Sequence, residues 1–198
     1  MKVSRETLGD DHPDTVISIN NLGALLHNQA DLDSAEPLLQ EALVARRKSL
    51  GDRHPQTLAS VNNLGVLLKA RGDLDRAAPL YREALEARRD TLGDYHPQTL
   101  TSLNNFGALL KAKGDLDGAA PLYYEALKGR RETLGNRHPD TLASLFSLGD
   151  LLEAQGYFDA AVPLFMEELE GCIEKWGEQH TETRSSATHL VELLLKAG

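Results

Sequence analysis

The sequence has one cysteine, Cys172, in 198 residues, so no disulfide can form within the chain. A single cysteine is typical of proteins from a reducing compartment. Aromatic residues make up only 5% of the chain, and alanine and leucine supply most of the apolar side chains. This composition favours closely packed helices over a β core.

Long hydrophobic runs and an excess of positive charge are also missing. No segment approaches the roughly 18 uninterrupted apolar residues of a transmembrane helix, and the first residues, MKVSRETLGDDH, contain no apolar signal-peptide core. The formal net charge is −9. Because binding to a phosphate backbone depends on a cationic surface, this charge argues against a nucleic-acid partner. We therefore expect a soluble, cytoplasmic protein that binds neither membranes nor nucleic acids.

What the sequence has in abundance is internal repetition. A glycine recurs every 42 residues, and in four of five cases a His-Pro pair follows it; the glycines are Gly9, Gly51, Gly93, Gly135 and Gly177. Residues 51–92 differ from residues 93–134 at eleven positions, so 31 of 42 are identical. A period of this length indicates an array of one structural module rather than a set of independent functional motifs.

Each repeat predicts two helices, which we call helix A and helix B. In the second repeat, apolar residues from Leu58 to Leu68 fall on one helical face, and a second stripe runs from Ala77 to Arg88. Gly72 suits the left-handed position that ends a helix, and Asp75 is predicted to cap the next one. A proline such as Pro97 is tolerated in a first helical turn. Helix A is predicted at 13–29, 55–71, 97–113, 139–155 and 181–197, and helix B at 33–50, 75–92, 117–134 and 159–176.

The predicted fold class is therefore all-α, with antiparallel helix pairs in one array spanning residues 1–198. Its predicted parts are the tail of a preceding helix B (1–9), four repeats (10–51, 52–93, 94–135 and 136–177) and helix A of a fifth, truncated repeat (178–198). We expect the chain to be cut from a longer array at both ends.

The recurring histidines and acids could be mistaken for a catalytic or metal site. Packed helices lie about 8–10 Å apart, whereas zinc ligands lie about 2 Å from one ion, so equivalent histidines of successive repeats cannot share a metal. The acids Asp73, Asp75, Asp115 and Asp117 recur in the turn between helices, where capping needs that residue type. No phosphate-binding glycine motif is present. We expect no catalytic residues, no metal and no cofactor.

The segment GDRHPQTLASVNNLGVLLKARGDLDRAAPLYREALEARRDTLG resembles the 42-residue tetratricopeptide-like repeats of kinesin light chains. The general tetratricopeptide signature consists of Leu64-Gly65, Leu68, Gly72, Ala77, Tyr81 and Ala84. The kinesin light chain type adds the His-Pro pair, the Asn-Asn pair and the Ala-Pro-Leu-Tyr of helix B. The resemblance covers the whole chain and implies a right-handed α-solenoid whose helices A line a concave surface that binds peptides or partner helices.

The resemblance also implies where a ligand would bind. An asparagine that clamps a peptide backbone matches Asn21, Asn63 and Asn105. A basic residue late in helix A matches Lys69 and Lys111, and His27 is a candidate for the same position in the first repeat. An arginine late in helix B matches Arg46, Arg88 and Arg130. The fourth repeat has lost all three features, with Ser147, Glu153 and Cys172 at the equivalent positions. A further basic position of helix A is not kept, because the four repeats have Ile17, Ala59, Thr101 and Ala143 there.

The residues alone allow two interpretations of the asparagine pairs. Asparagine is not favoured in mid-helix, so the pairs serve either as a structural ladder between neighbouring helices or as a clamp for an extended peptide. The resemblance favours the clamp. In the paired arginines, such as Arg88-Arg89, only one of the two can face the groove because consecutive helical residues point about 100° apart. The other is expected to pair with surface acids.

From the sequence we predict a non-enzymatic protein–protein interaction scaffold. Its concave groove would bind an extended or short helical segment of a protein partner, and the basic residues favour an acidic one. The alternative is a structural spacer, or an array that self-associates through its terminal helices without a dedicated peptide ligand.

Overall fold

The computed structural model of the chain describes residues 8–10 and 12–197, and the side chains of all of these except Ala197. Its residue contacts divide it into two compact units, residues 1–93 and residues 94–198. In the described part of the chain every regular element is a helix. The prediction that residues 1–9 form the end of a helix B rests on residues 1–7, which lie outside the described residues.

Unit 1 contains two helix pairs. Helices α1 (Pro13–Asn28) and α2 (Leu32–Leu50) form the first pair, and helices α3 (Pro55–Ala70) and α4 (Leu74–Leu92) form the second. Each helix packs against the next one along the chain, and α1 also touches α3. Because the turn between paired helices is only a few residues long, the two helices of a pair run antiparallel. Val16, Ile19 and Ala42 lie in the buried core between α1 and α2.

Unit 2 contains two further pairs and one additional helix. The pairs are α5 (Pro97–Ala112) with α6 (Leu116–Leu134) and α7 (Pro139–Ala154) with α8 (Phe158–Trp176), and the last helix is α9 (Thr181–Ala197). A continuous core runs from Tyr123 through Leu145 and Phe165 to Leu193. Odd-numbered helices correspond to helix A and even-numbered helices to helix B. The all-α fold of helix pairs predicted from the period is confirmed, and each predicted helix is present with ends shifted by one residue at most.

The turn between paired helices follows the predicted chemistry with one correction. Gly72 has φ +81° and Gly93 has φ +88°, the left-handed conformation that a glycine adopts without strain. The N-cap position of α4 is Asp73 rather than the predicted Asp75, because α4 begins at Leu74. The Asp73 carboxylate makes no capping hydrogen bond and accepts one from Arg76 instead. The equivalent Asp31 and Asp115 accept hydrogen bonds from the backbone at Ser34 and Gly118.

Inside each pair a glycine of helix A allows close approach of a large side chain from helix B. In the second pair a β-carbon at Gly65 would lie 3.4 Å from the ring of Tyr81. In the fourth pair a β-carbon at Gly149 would lie only 2.8 Å from the ring of Phe165. The Leu-Gly signature of the sequence is therefore a helix-crossing point, and its crowding increases from the second pair to the fourth.

Candidate functional site

The histidines that precede the helices A serve as N-caps. His54 Nδ1 accepts a hydrogen bond from the backbone N–H of Gln56 at 3.2 Å, which satisfies one of the donors left free at a helix start. The same 3.2 Å bond recurs in all five helices A, at His12, His54, His96, His138 and His180. The histidine motif is thus a repeated structural device. Among the described residues no three His, Cys, Asp or Glu side chains are grouped so that they could hold a metal ion.

The asparagines of unit 1 form a hydrogen-bonded ladder between helices A. Asn20 is buried, and its Oδ1 accepts a bond from Ser60 Oγ at 3.2 Å and a long one from Asn63 Nδ2 at 3.5 Å. Asn63 is half-buried and Asn21 is exposed. Because an amide offers two donor hydrogens and an acceptor oxygen, the single long bond to Asn20 uses only part of the capacity of Asn63.

The ladder is interrupted in unit 2. Asn104 Oδ1, the equivalent of the accepting oxygen of Asn20, is buried without a hydrogen-bond partner. The equivalents of the two donors to Asn20 are Ser144 and Ser147, and the hydroxyl of Ser147 donates to the backbone oxygen of Ala143 at 2.8 Å instead. Asn105, the predicted clamp residue of this unit, is half-buried on α5.

The two predicted lysines lie near the ends of helices A. Lys69 is half-buried at the end of α3. Lys111, at the end of α5, forms an ion pair with Asp150 of α7, a position that is alanine or valine in the first three repeats. The positive charge of Lys111 is therefore partly neutralised within the protein.

The predicted arginines Arg46, Arg88 and Arg130 are only 6%, 5% and 6% exposed. Each lies on the buried face of its helix B, and burial lowers the pKa of all three guanidinium groups. Arg46 Nη1 donates to Gln56 O at 3.0 Å and to Ser60 Oγ at 2.7 Å.

Arg130 repeats this arrangement in unit 2. Its Nη1 donates to Asp140 O at 3.0 Å and to Ser144 Oγ at 2.7 Å. A guanidinium in this position ties the end of one helix B to the start of the following helix A. These arginines have little surface left for a ligand.

The second arginines of two pairs, Arg47 and Arg131, are partly exposed and pair with acids, as the sequence predicts. Arg47 forms ion pairs with Glu83 at 2.6 Å and with Asp52 at 3.2 Å, and Arg131 pairs with Glu167 at 2.5 Å. Pairs near the surface contribute little stability, typically about 0–1 kcal/mol each.

The fourth repeat contains a polar cluster that sequence reasoning missed. Glu168 of α8 is only 6% exposed, and its Oε1 accepts bonds from Ser186 Oγ at 2.8 Å and from Cys172 Sγ at 3.0 Å. Burial and the neighbouring Glu168 raise the pKa of the Cys172 thiol to about 12. Oε2 of Glu168 is buried without a hydrogen-bond partner. The signal was present in the repeat alignment, because the other three repeats have alanine at the position of Glu168.

A pocket of about 350 Å³ adjoins this cluster between α7, α8 and α9. Its apolar walls include Phe146 and Trp176, and its polar wall includes Glu168, Glu182 and Ser186. Trp176 also stacks on His180, with ring centroids 5.5 Å apart. Within the described part of the chain no helix has the length and hydropathy needed to cross a membrane.

Comparison with known proteins adds the family context. The tetratricopeptide repeat family model matches residues 1–48, 16–90, 58–132 and 98–174. No curated protein sequence matches the chain significantly. The nearly identical TPR-like repeats of a Podosopora anserina protein assigned as a kinesin light chain align with 25% identity and a TM-score of 0.80, over 92% of this chain and 86% of that one.

A second solved structure, BtubC (BKLC) from P. vanneervenii, aligns over all of this chain and 78% of that one. The identity is 20% and the TM-score is 0.82, so this likeness shows the fold alone. These comparisons confirm the α-solenoid class and the resemblance to repeats of the kinesin light chain type.

Proposed function

The chain belongs to the tetratricopeptide repeat family, and from that premise we propose that its helices A bind an extended or short helical segment of a protein partner. Repeats of this family generally mediate protein–protein interactions and typically serve as scaffolds rather than as enzymes. The finer proposal concerns which face is used, which residues contact the segment and what charge the segment carries.

The observation that carries the proposal is the state of the asparagines in unit 1. Asn21 and Asn63 occupy the same repeat position on consecutive helices A, and their side chains are exposed and half-buried respectively. Asn63 retains hydrogen-bonding capacity beyond its long bond to Asn20. A peptide backbone presents alternating N–H and C=O groups, which an amide side chain can satisfy in both directions. Asn105 is the equivalent contact in unit 2.

Lys69 and Lys111 give the proposed ligand its acidic character. A carboxylate of the ligand would bind Lys69 through a charge-assisted hydrogen bond. At Lys111 it would first have to displace Asp150. Arg46, Arg88 and Arg130 belong to the proposed site as residues that position the helices carrying the asparagines, since their guanidinium groups are buried.

Affinity measurements on asparagine variants test the proposal. Acidic peptides selected from a library would be titrated by calorimetry against wild type, the Asn21→Ala/Asn63→Ala variant and the control variant Asn28→Ala. Asn28 is an exposed asparagine at the end of α1 and lies outside the proposed site. Loss of two hydrogen bonds worth about 1 kcal/mol each predicts a weakening of about tenfold or more. Unchanged affinity in the double variant, with helical content preserved, would falsify the clamp.

The alternative function, self-association, is favoured by a specific surface on α9. Val191, Leu194 and Leu195 lie on one helical face, and Leu195 is 80% exposed. A contiguous apolar face of this kind is a candidate contact between copies of the chain.

Sedimentation over a range of protein concentrations tests this alternative. Self-association predicts that the mass of the wild-type protein rises with concentration. The mass of the Leu194→Gln/Leu195→Gln variant should stay at the monomer value. Val44→Gln is the matched control, because Val44 is an exposed apolar residue on α2, remote in sequence from this face. A mass that stays at the monomer value throughout would exclude self-association.

A further inference from the structure

The fourth repeat replaces a conserved internal arrangement with one of opposite charge. Two positions one turn apart on helix B are Ala and Arg in the first three repeats and Glu168 and Cys172 in the fourth. The three earlier pairs are Ala42 with Arg46, Ala84 with Arg88, and Ala126 with Arg130. A small residue beside a buried cation has become a buried carboxylate beside a short thiol.

The exchange changes what occupies the space between helix B and the next helix A. In the third repeat the guanidinium of Arg130 fills this space and donates to Ser144 Oγ at 2.7 Å. In the fourth repeat the equivalent serine, Ser186, donates to Glu168 instead. The Cys172 side chain ends at Sγ, which is too short to replace an arginine, and the pocket of about 350 Å³ opens beside it.

The pocket walls suit an organic cation. Glu168 Oε2 is buried without a hydrogen-bond partner, and leaving a buried carboxylate oxygen unpaired is costly. Glu182 adds a second carboxylate to the lining, and the described lining residues include no Lys, Arg or His. Phe146 and Trp176 also line the pocket, and aromatic rings attract a guanidinium. Outside the lining, Lys175 Nζ lies 6.0 Å from the Trp176 ring centroid.

We infer that this pocket binds the side chain of an arginine presented by a partner protein. The incoming guanidinium takes the place that the chain's own arginine occupies in the earlier repeats, and it donates to the carboxylate of Glu168. Arginine fits better than lysine because its planar group has donors for both Glu168 and Glu182 while it stacks on the aromatic walls. The inference rests on the proposed function in one respect only, namely that the arginine belongs to a protein partner.

A titration with a blocked amino acid tests the pocket without a protein partner. The probe is N-acetyl-L-arginine N-methylamide, and the signal is the fluorescence of Trp176, the one tryptophan of the chain. We expect saturable binding with a dissociation constant on the order of 1 mM, which is ordinary for one side chain in a preformed site. The neutral isostere, the citrulline derivative, should bind at least tenfold more weakly, and the lysine derivative should fall between them.

Three variants locate the binding. Glu168→Gln should weaken binding of the arginine derivative at least tenfold. Glu168→Ala/Cys172→Arg, which restores the pair of the other three repeats, should abolish it by filling the pocket. Glu170→Gln, an exposed carboxylate of the same helix, should bind within twofold of wild type. Because the double variant copies an arrangement that three repeats of this chain already use, it provides a folded comparison even if Glu168→Gln is unstable.

The inference would be overturned by equal binding of the arginine and citrulline derivatives, or by full binding in the double variant. Its failure is separable from failure of the proposed function. Asn21→Ala/Asn63→Ala tests unit 1 and should leave binding of the arginine derivative unchanged. Conversely, if the pocket does not bind the arginine derivative, the asparagine variant should still lose affinity for acidic peptides.

Discussion

The contact between the helix A glycine and the large helix B side chain predicts that one substitution has opposite effects in two repeats. Gly65→Ala would place a β-carbon 3.4 Å from the Tyr81 ring, an ordinary van der Waals distance. Gly149→Ala would place it 2.8 Å from the Phe165 ring. Phe165 is 1% exposed, so its ring cannot swing into solvent to relieve the clash.

The magnitudes follow from two competing terms. Replacing glycine by alanine inside a helix gains about 1 kcal/mol of helix propensity. Forcing extra volume into a well-packed core costs about 1–3 kcal/mol. At Gly65 the packing term is small, so we expect a net stabilisation of about 0.5–1 kcal/mol. At Gly149 packing dominates, and we expect a net destabilisation of about 1–2 kcal/mol.

The assay must report on each unit separately, because repeat arrays need not unfold in one transition. Urea unfolding followed by Trp176 fluorescence reports on unit 2, and hydrogen exchange of α3 amides reports on unit 1. Gly72→Ala is the control for backbone effects alone, since a β-carbon there meets no neighbour within 4 Å but φ is +81°. If Gly149→Ala is as stable as wild type, or if Gly65→Ala is clearly destabilised, the packing argument is wrong.

Three further predictions concern buried and paired charges. Arg130→Ala should destabilise unit 2 by about 2–3 kcal/mol in urea unfolding, because it removes two hydrogen bonds and packed volume. Lys128 is exposed on the same helix, and Lys128→Ala should change stability by less than about 0.5 kcal/mol. Cys172, with its pKa raised to about 12 by burial, should resist iodoacetamide at pH 8 unless the protein unfolds. Since an unfolded thiol ionises near pH 8.5, stability should fall as the pH rises from about 9 to 12, and Cys172→Ser should remove that part of the dependence. The hydrogen bond from Lys196 lowers the pKa of Glu153, so the packing of α9 against α7 should weaken as the pH falls below about 4. Hydrogen exchange of the α9 amides measures this weakening, which should be smaller in Glu153→Gln.

The fold could be predicted closely because the signals that determine it are local and repeated. Each boundary carries a glycine that adopts positive φ or a proline in the first turn, as at Gly93 and Pro97, and the 42-residue period fixes these boundaries in every copy. The capping residue could not be chosen reliably, since Asp73 and Asp75 are chemically equivalent candidates two residues apart. Backbone conformation after Gly72 selects Asp73, and side-chain type alone carries no information about that choice.

For the first arginine of each pair, the family resemblance and the helical periodicity predict different positions. Periodicity placed Arg88 in the same stripe as Tyr81 and Leu85, which predicts that it faces the neighbouring helices. The resemblance placed it in the ligand groove. The structure buries Arg88 together with that stripe, and whether Arg88 influences ligand binding stays a prediction. The burial of a charged residue in a helix is thus better predicted from the helical face that it shares with apolar residues.

Glu168 was missed for a different reason. Residues that recur in every repeat identify the shared scaffold, whereas Glu168 is informative because it departs from the alanine of the other repeats. Its partner Ser186 does not stand out, because a serine occurs at this position in all five helices A, at Ser18, Ser60, Ser102, Ser144 and Ser186. Only the structure shows that Ser186 donates to a carboxylate while Ser60 and Ser144 accept from guanidinium groups.

If ligand preference resides in this one pair of positions, it should be transferable between repeats. Ala126→Glu/Arg130→Cys copies the fourth-repeat pair into the third, where Ser144 already stands in the place of Ser186. The aromatic walls are absent there, because Asn104 and Leu134 replace Phe146 and Trp176. We therefore expect a second site for the arginine derivative that is weaker than the first, seen as a second set of shifted amide resonances in α5 and α6. Appearance of this site would show that the carboxylate selects the cation, whereas its absence in a folded variant would assign the selection to the aromatic walls.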